Sequence, residues 1–145
     1  IMHAVRLSRW CGWHCVAEPL VLILHAGYAW LAIGISLLGL ANLVPAFANL
    51  AALHALTTGA FGTMMLAVMT RATLGHSGRA LTADRTTVVI YGMVTIGAIG
   101  RVVSPLFPGQ TWLIAAGLLW AGAFLMFALN YGPMLLGHQP TPAKR

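Results

Sequence analysis

The sequence predicts an all-α membrane protein with four transmembrane helices, and three observations predict it. Of its 145 residues, 59% are hydrophobic and 7% charged, whereas about a quarter of the residues of a soluble domain carry charge. Three stretches, Pro19–Leu43, Asn49–Thr70 and Gln110–Leu136, contain no charged residue, and each is longer than the roughly 20 residues that cross a hydrocarbon core. A fourth, Thr86–Phe107, is interrupted only by Arg101. In lipid a single segment satisfies its own backbone only as a helix. The expected layout is a cytoplasmic segment over 1–18, a transmembrane domain over 19–136 with helices at about 19–43, 49–71, 86–104 and 110–136, and a cytoplasmic tail over 137–145.

The first segment carries Arg6 and Arg9 but no continuous apolar core and no small-residue cleavage site, so it does not read as a secretory signal. The chain opens on Ile1 and is expected to be part of a longer protein. Cys11 and Cys15 stand in Cys-Gly-Trp-His-Cys. Covalent c-type haem attachment needs Cys-x-x-Cys-His, which this order does not supply. On the reducing side of the membrane both are expected as free thiols.

On the first helix His25, Tyr28, Ala32, Ser36 and Gly39 share a narrow stripe at helical spacing. The small residues of that stripe are expected to be a helix-packing seam. A histidine inside a span either faces a functional interior or is held by a backbone carbonyl. Prolines close the turn around Pro45. On the second helix His54, Thr58, Phe61 and Met65 share a face beside a strip of Ala51, Ala55, Gly59 and Gly62. Met64, Met65 and Met69 are expected as core filler rather than as thioether ligands to Cu(I).

The run from Met69 to Arg79 then ends the second span and returns the chain to a basic, glycine-hinged loop. Arg71, His76 and Arg79 thereby sit at one membrane surface, an arrangement suited to an anionic cofactor or a metal. Arg101 shares a stripe with Met93, Gly97, Gly100 and Ser104 on the third helix. It either snorkels to the interface or offers its fork to a carboxylate or other anion. Trp112, Trp120, Asn130 and Tyr131 on the fourth helix read as interfacial anchors and packing, and His3, His14 and His138 as surface residues.

Orientation is set by charge. Of eight basic residues, Arg6, Arg9, Arg71, Arg79, Arg85, Lys144 and Arg145 fall on one side and Arg101 alone lies near the uncharged turns, which assigns both termini to the cytoplasm. The net charge of +6 therefore reports topology. It forms no patch with interleaved aromatics, so nucleic-acid binding is excluded. Two acids, Glu18 and Asp84, leave no carboxylate pair for hydrolytic acid–base chemistry.

Depth separates the histidines. His25 lies about 9 Å in from the cytoplasmic surface and His54 about 6 to 8 Å from the other, leaving roughly 15 Å between them. They cannot share one metal. The expectation is two layers, a cytoplasmic one of His25, Arg71, His76 and Arg79 and a distal one of His54 and Arg101.

Three pieces carry a resemblance: Glu18-Pro19-Leu20 leading into Leu24-His25-Ala26-Gly27-Tyr28-Ala29-Trp30, the run Leu53-His54-Ala55-Leu56-Thr57-Thr58-Gly59-Ala60-Phe61-Gly62, and Val68-Met69-Thr70-Arg71-Ala72-Thr73-Leu74-Gly75-His76-Ser77-Gly78-Arg79. With them the chain resembles the carboxy-terminal part of NnrS, a bacterial haem- and copper-containing membrane protein of the nitric oxide response. The resemblance implies a bundle of about twelve helices in the bacterial inner membrane, of which this chain supplies the last four. It also implies haem and copper as cofactors and nitric oxide or related species as partners. His25, His54 and His76 are then the candidate metal ligands, with Arg71, Arg79 and Arg101 as further cofactor-binding residues. The tail from Gly137 to Arg145 departs from the family's ending. A redox-active protein of the nitrosative stress response is thus expected, catalytic or not. The alternative is a transport or proton- or anion-conducting segment lined by intramembrane His and Arg.

Overall fold

The computed structural model describes residues 2–10, 15–43, 45–107 and 109–137. Expectations for Cys11, His14, His138 and the rest of the tail lie outside the described residues. A short helix, α1 (Met2–Arg9), precedes α2 (Pro19–Ala41). The second span is compound: α3 (Pro45–His54) passes through a π-helical segment (Ala55–Phe61) into α4 (Gly62–His76). Next come α5 (Arg85–Val103), a 3-10 turn (Ser104–Leu106) and α6 (Gln110–Leu135). Four helices are long and apolar enough to cross a membrane, Pro19–Ala41, Asn49–His76, Arg85–Leu106 and Gln110–Leu135. The chain is a multi-pass helical membrane protein.

The helix ends are explained by local chemistry. Pro19 occupies the first turn of α2, where a missing N–H costs nothing. Asp84 caps α5, its side chain accepting from the backbone N–H of Thr87 at 2.7 Å. The second span runs to His76, five residues past the expected end at about Arg71. Gly75 sits inside this helix and Gly78 is the stop, at φ 66°. Arg79 N–H bonds Leu74 O at 3.0 Å and Gly78 N–H bonds Gly75 O at 3.2 Å, the paired hydrogen bonds of a Schellman termination. His76 is therefore the last helical residue and not part of a loop.

Helices in lipid gain nothing from hydrophobicity against one another and associate through close packing. The main core joins Leu20 and Ile23 of α2, Leu66 and Leu74 of α4, Ile90 and Val94 of α5 and Phe127 and Tyr131 of α6. Two tryptophans lock the middle. Gly59 accepts the ring of Trp30, and Gly62 accepts the indole of Trp120. On α5, Gly97 and Gly100 let Ala116 and Trp120 of α6 approach the backbone.

The seam of α2 differs from the expected one. Its buried residues are Leu20, Ile23, Gly27, Trp30, Gly34 and Ala41, while Ser36 and Gly39 are exposed and nothing stands within 4 Å of a Cβ at Gly39. The stripe through His25, Ala32 and Ser36 looks outward because Trp30 and its glycines claim the inner face.

Candidate functional site

His25 lies on that outward face. Its Nδ1 is 3.0 Å from Val21 O, and since a carbonyl only accepts, Nδ1–H donates and Nε2 is turned away from that bond. The indole of Trp10 meets the ring edge-on, with centroids 5.8 Å apart. Trp10 also packs on Tyr28 at 4.8 Å, and Tyr28 Oη hydrogen-bonds His3 Nδ1 at 2.8 Å. His3 is thus engaged in holding α1 to α2 instead of standing free at the surface. The three rings fix His25 at the end of a groove of about 840 Å³, floored by Ala26, Ala29, Ala32, Ile33 and Leu37 and closed at one end by Leu7 of α1.

The second level is built around the π segment. Thr57 and Thr58 donate their hydroxyls back to Leu53 O and His54 O at 2.7 and 2.6 Å. Such back-bonding competes with the helical ladder and opens it, and the extra residue of a π turn re-phases the succeeding turns by about 100°. Trp120 Nε1–H donates to Thr58 O at 3.1 Å, so a carbonyl at the bulge is paired from α6. Of the two roles expected of it, interfacial anchor and packing, Trp120 has the packing one, as a mid-helix pin.

His54 ends α3 on one edge of the bulge, within electrostatic reach of the guanidinium of Arg101. Arg101 Nε is buried without a hydrogen-bond partner among the described residues. Neither acid lies near it: Asp84 begins α5, 17 residues and about 25 Å away along the axis, and Glu18 precedes α2 at that same end.

The histidines stay on separate levels. A Cβ on Gly27 would meet Met64 and one on Gly34 would meet Leu56, so His54 stands level with about residue 36, about 16 Å from His25 along α2. The loop-end residues are dispersed. The groove at His25 includes none of Arg71, His76 or Arg79. His76 is exposed, and Arg79 instead lines a pocket of about 230 Å³ with Asp84, Asn130 and Tyr131. Of the two expected layers, only His54 with Arg101 is assembled. Among the described residues no group of three or more His, Cys, Asp or Glu is placed to hold a metal ion, and Cys15 is a free thiol.

One polar cluster has no counterpart in the expected site. Thr87 Oγ1 donates to Asp84 Oδ1 and meets Tyr131 Oη, both at 2.5 Å. Asp84 is exposed, and its carboxyl is held below the usual range, first by the Thr87 hydroxyl and then by the Thr87 N–H, with a smaller contribution from Asn130. Tyr131, read as interfacial anchor and packing, is 2% exposed and packs in the core. The pattern Asp-x-x-Thr ahead of an apolar run is a helix-start signal that would have found this cap.

The fold and its intramembrane polar residues define a polytopic helical membrane protein with one histidine at an outward apolar groove and another beside a half-buried arginine. The chain belongs to the NnrS family: the family's sequence model, described as NnrS protein, matches residues 1–139. It is accordingly a membrane protein of the nitric oxide response. No curated protein and no solved structure matches it.

Proposed function

We propose that this chain forms one wall of a haem site in which His25 would hold the iron, in a membrane protein that meets nitric oxide and nitrosative stress. The observation that carries the reading is the apolar groove at whose end His25 stands; the Nδ1–H to Val21 O bond, which alone would be that of a histidine held by a backbone carbonyl, serves it as well. That bond leaves Nε2 as the free donor and orients the ring, as metal-bound imidazoles require. The groove fits the group: its volume of about 840 Å³ and its floor of alanines and branched apolar side chains suit a flat macrocycle. When bound, haem would supply redox-active iron with affinity for nitric oxide. The chain's own contribution is to hold the ring of His25 through Val21, Trp10 and Tyr28 and to exclude water with Ala26, Ala29 and Leu37.

Copper fits these residues less well. His54 offers one imidazole, and the remaining ligands would have to come from outside the described residues, so no step is derived through copper. Arg101 beside His54 suits a carboxylate or other anion, because its buried Nε has no partner. For Arg71, His76 and Arg79 the supported role is at the cytoplasmic surface, where with Arg6, Arg9 and Arg85 they agree with cytoplasmic termini in a bacterial inner membrane.

The test is the reduced-minus-oxidised absorbance spectrum of the full-length protein. His25→Ala is expected to lower haem content at least tenfold while His54→Ala leaves it in place. Unchanged haem in His25→Ala refutes the assignment. Arg101's buried Nε also favours a second reading, an anion route through the distal level. Liposome flux that vanishes in Arg101→Ala at unchanged metal content would establish it.

A further inference from the structure

Where α4 ends, α5 begins and α6 ends, the 230 Å³ pocket is lined by one cation and one anion that do not meet. Arg79, the residue after the Gly78 stop, is half-buried. Its guanidinium makes no ion pair and no side-chain hydrogen bond among the described residues. Asp84 lines the same pocket, yet its carboxyl is held below the usual range by the hydroxyl and N–H of Thr87 and then by Asn130, with no cation among them. Both Thr87 donors go to Oδ1, so neither occupies Oδ2. Contact between an arginine fork and a carboxylate is among the stronger pairings a chain can make, but here a cavity with room for about eight waters separates the two.

The charge pattern restricts the ligand. An anion alone would bind Arg79 beside the Asp84 carboxylate, and a cation alone would bind Asp84 beside the guanidinium, so each would meet a like charge in one small pocket. A molecule carrying both charges meets neither penalty. Phosphate accepts two parallel bonds from the planar fork of an arginine. A primary ammonium brings three N–H donors, which match Asp84 Oδ2 and the side-chain oxygen of Asn130, whose amide N–H₂ serves Asp84. A trimethylammonium has no N–H to give.

The surroundings are those of a lipid. The pocket lies at the end of the bundle where the spans leave the membrane, and Leu74 and Met134 give it an apolar lip. On α6, Leu125 and Leu129 are exposed, about a quarter turn around the helix from Asn130. A headgroup in the pocket would therefore have its chains beside an apolar helix face.

We propose that this pocket binds the headgroup of an ethanolamine phospholipid, with the phosphate on Arg79, the ammonium between Asp84 and Asn130, and the acyl chains along the exposed face of α6. The site is separate from the groove at His25 and from Arg101, and it rests on neither the haem nor the anion-route reading.

The full-length protein in detergent micelles doped with equal amounts of phosphatidylethanolamine, phosphatidylcholine and phosphatidylglycerol provides the test, with retained lipids counted by native mass spectrometry. Phosphatidylethanolamine is expected to be retained at least fivefold over either of the others. Arg79→Gln should lower its retention at least fivefold, whereas Arg85→Gln, next to Asp84 but outside the pocket lining, should leave it unchanged. Asp84→Asn keeps a cap oxygen and removes the charge, so its expected signature is loss of the preference for phosphatidylethanolamine over phosphatidylglycerol. Should Asp84→Asn fail to fold, the contrast between Arg79→Gln and Arg85→Gln decides alone. Soluble O-phosphoethanolamine carries the same two charges without chains and is expected to displace the lipid only in large excess. Displacement at equal concentration would assign the pocket to a soluble zwitterion and overturn the lipid assignment. Retention that does not discriminate among the three headgroups, or that falls equally in Arg79→Gln and Arg85→Gln, overturns the proposal.

Discussion

The indole N–H of Trp120 donates to the carbonyl oxygen of Thr58 at 3.1 Å, joining α6 to the π segment. That bond pairs a carbonyl where the helical ladder is opened, so Trp120→Phe would leave a buried acceptor exposed to nothing. The expected loss is about 1–3 kcal/mol beyond the smaller ring's lost packing, read from denaturant unfolding of the purified protein. Gly62→Ala should destabilise to a similar degree, about 1–3 kcal/mol, because a Cβ there would stand 2.7 Å from Trp120 Nε1. Wild-type stability in both variants would mean that the indole does not hold the bulge.

The bulge also sets which way His54 faces relative to α4. Removing Thr57 is expected to return the segment to α-helical hydrogen bonding and to rotate His54 by about 100° against the α4 face. Cysteines replacing His54 and Arg101 in an otherwise cysteine-free protein should be joined by a short bis-maleimide in the normal length background and not in the shortened one. Equal cross-linking in both would show that the π turn does not orient the histidine.

Glycines along the spans should separate by what faces them. At Gly59 a Cβ would lie 2.6 Å from the ring of Trp30, whereas at Gly39 nothing stands within 4 Å. The Trp30 ring is wedged among Ala55, Ala60 and Ala98 and cannot yield as a flexible chain end would. Gly59→Ala is therefore expected to cost about 1–3 kcal/mol, and Gly39→Ala to be neutral or to stabilise by a few tenths up to about 1 kcal/mol through helix propensity. Thermal unfolding in detergent compares the two, and an equal effect would contradict the packing described for Trp30.

The spans themselves were legible because a bilayer admits so little charge that uncharged runs such as Asn49–Thr70 stand out in composition alone. Faces were less legible. Periodicity groups His25 with Ala32 and Ser36, yet whether that stripe meets a neighbour depends on Trp30 winning the contact with Gly59, a fact of tertiary packing. The run ending at Arg79 offered two glycines as helix stops, and only backbone geometry distinguishes Gly75 from Gly78 with its φ of 66°. Trp120 and Tyr131 were grouped with interfacial aromatics by residue type, although Trp120 lies ten residues into α6, a depth at which an indole N–H must find a partner inside the bundle. The π segment left only the adjacent Thr57 and Thr58 as a trace, since back-bonding threonines occur in ordinary helices too. Tyr91 and Thr87 meet Thr70 and Tyr131 across three helices, a juxtaposition invisible to any single-helix pattern.

Asp84 should make stability depend on acid. The carboxyl is held below the usual aspartate range by the hydroxyl and N–H of Thr87 and by Asn130. The groups facing it are Thr87, Asn130, Tyr131 and Arg79 across the small pocket, with Arg85 next in the chain. For a group whose folded value is depressed, the stabilisation is complete above the unfolded value of about 4 and is lost as pH falls through the folded one. The native protein should thus lose stability between about pH 4 and the lower folded value, and Asp84→Asn should flatten that part of the profile. Asp84→Ala, lacking a cap acceptor, should cost about 0.5–2 kcal/mol at neutral pH. Unfolding free energy across an acidic pH series for the three proteins is the measurement. A profile for Asp84→Asn that still falls as steeply as the native one would assign the acid sensitivity to another carboxyl and leave Asp84 as a cap only.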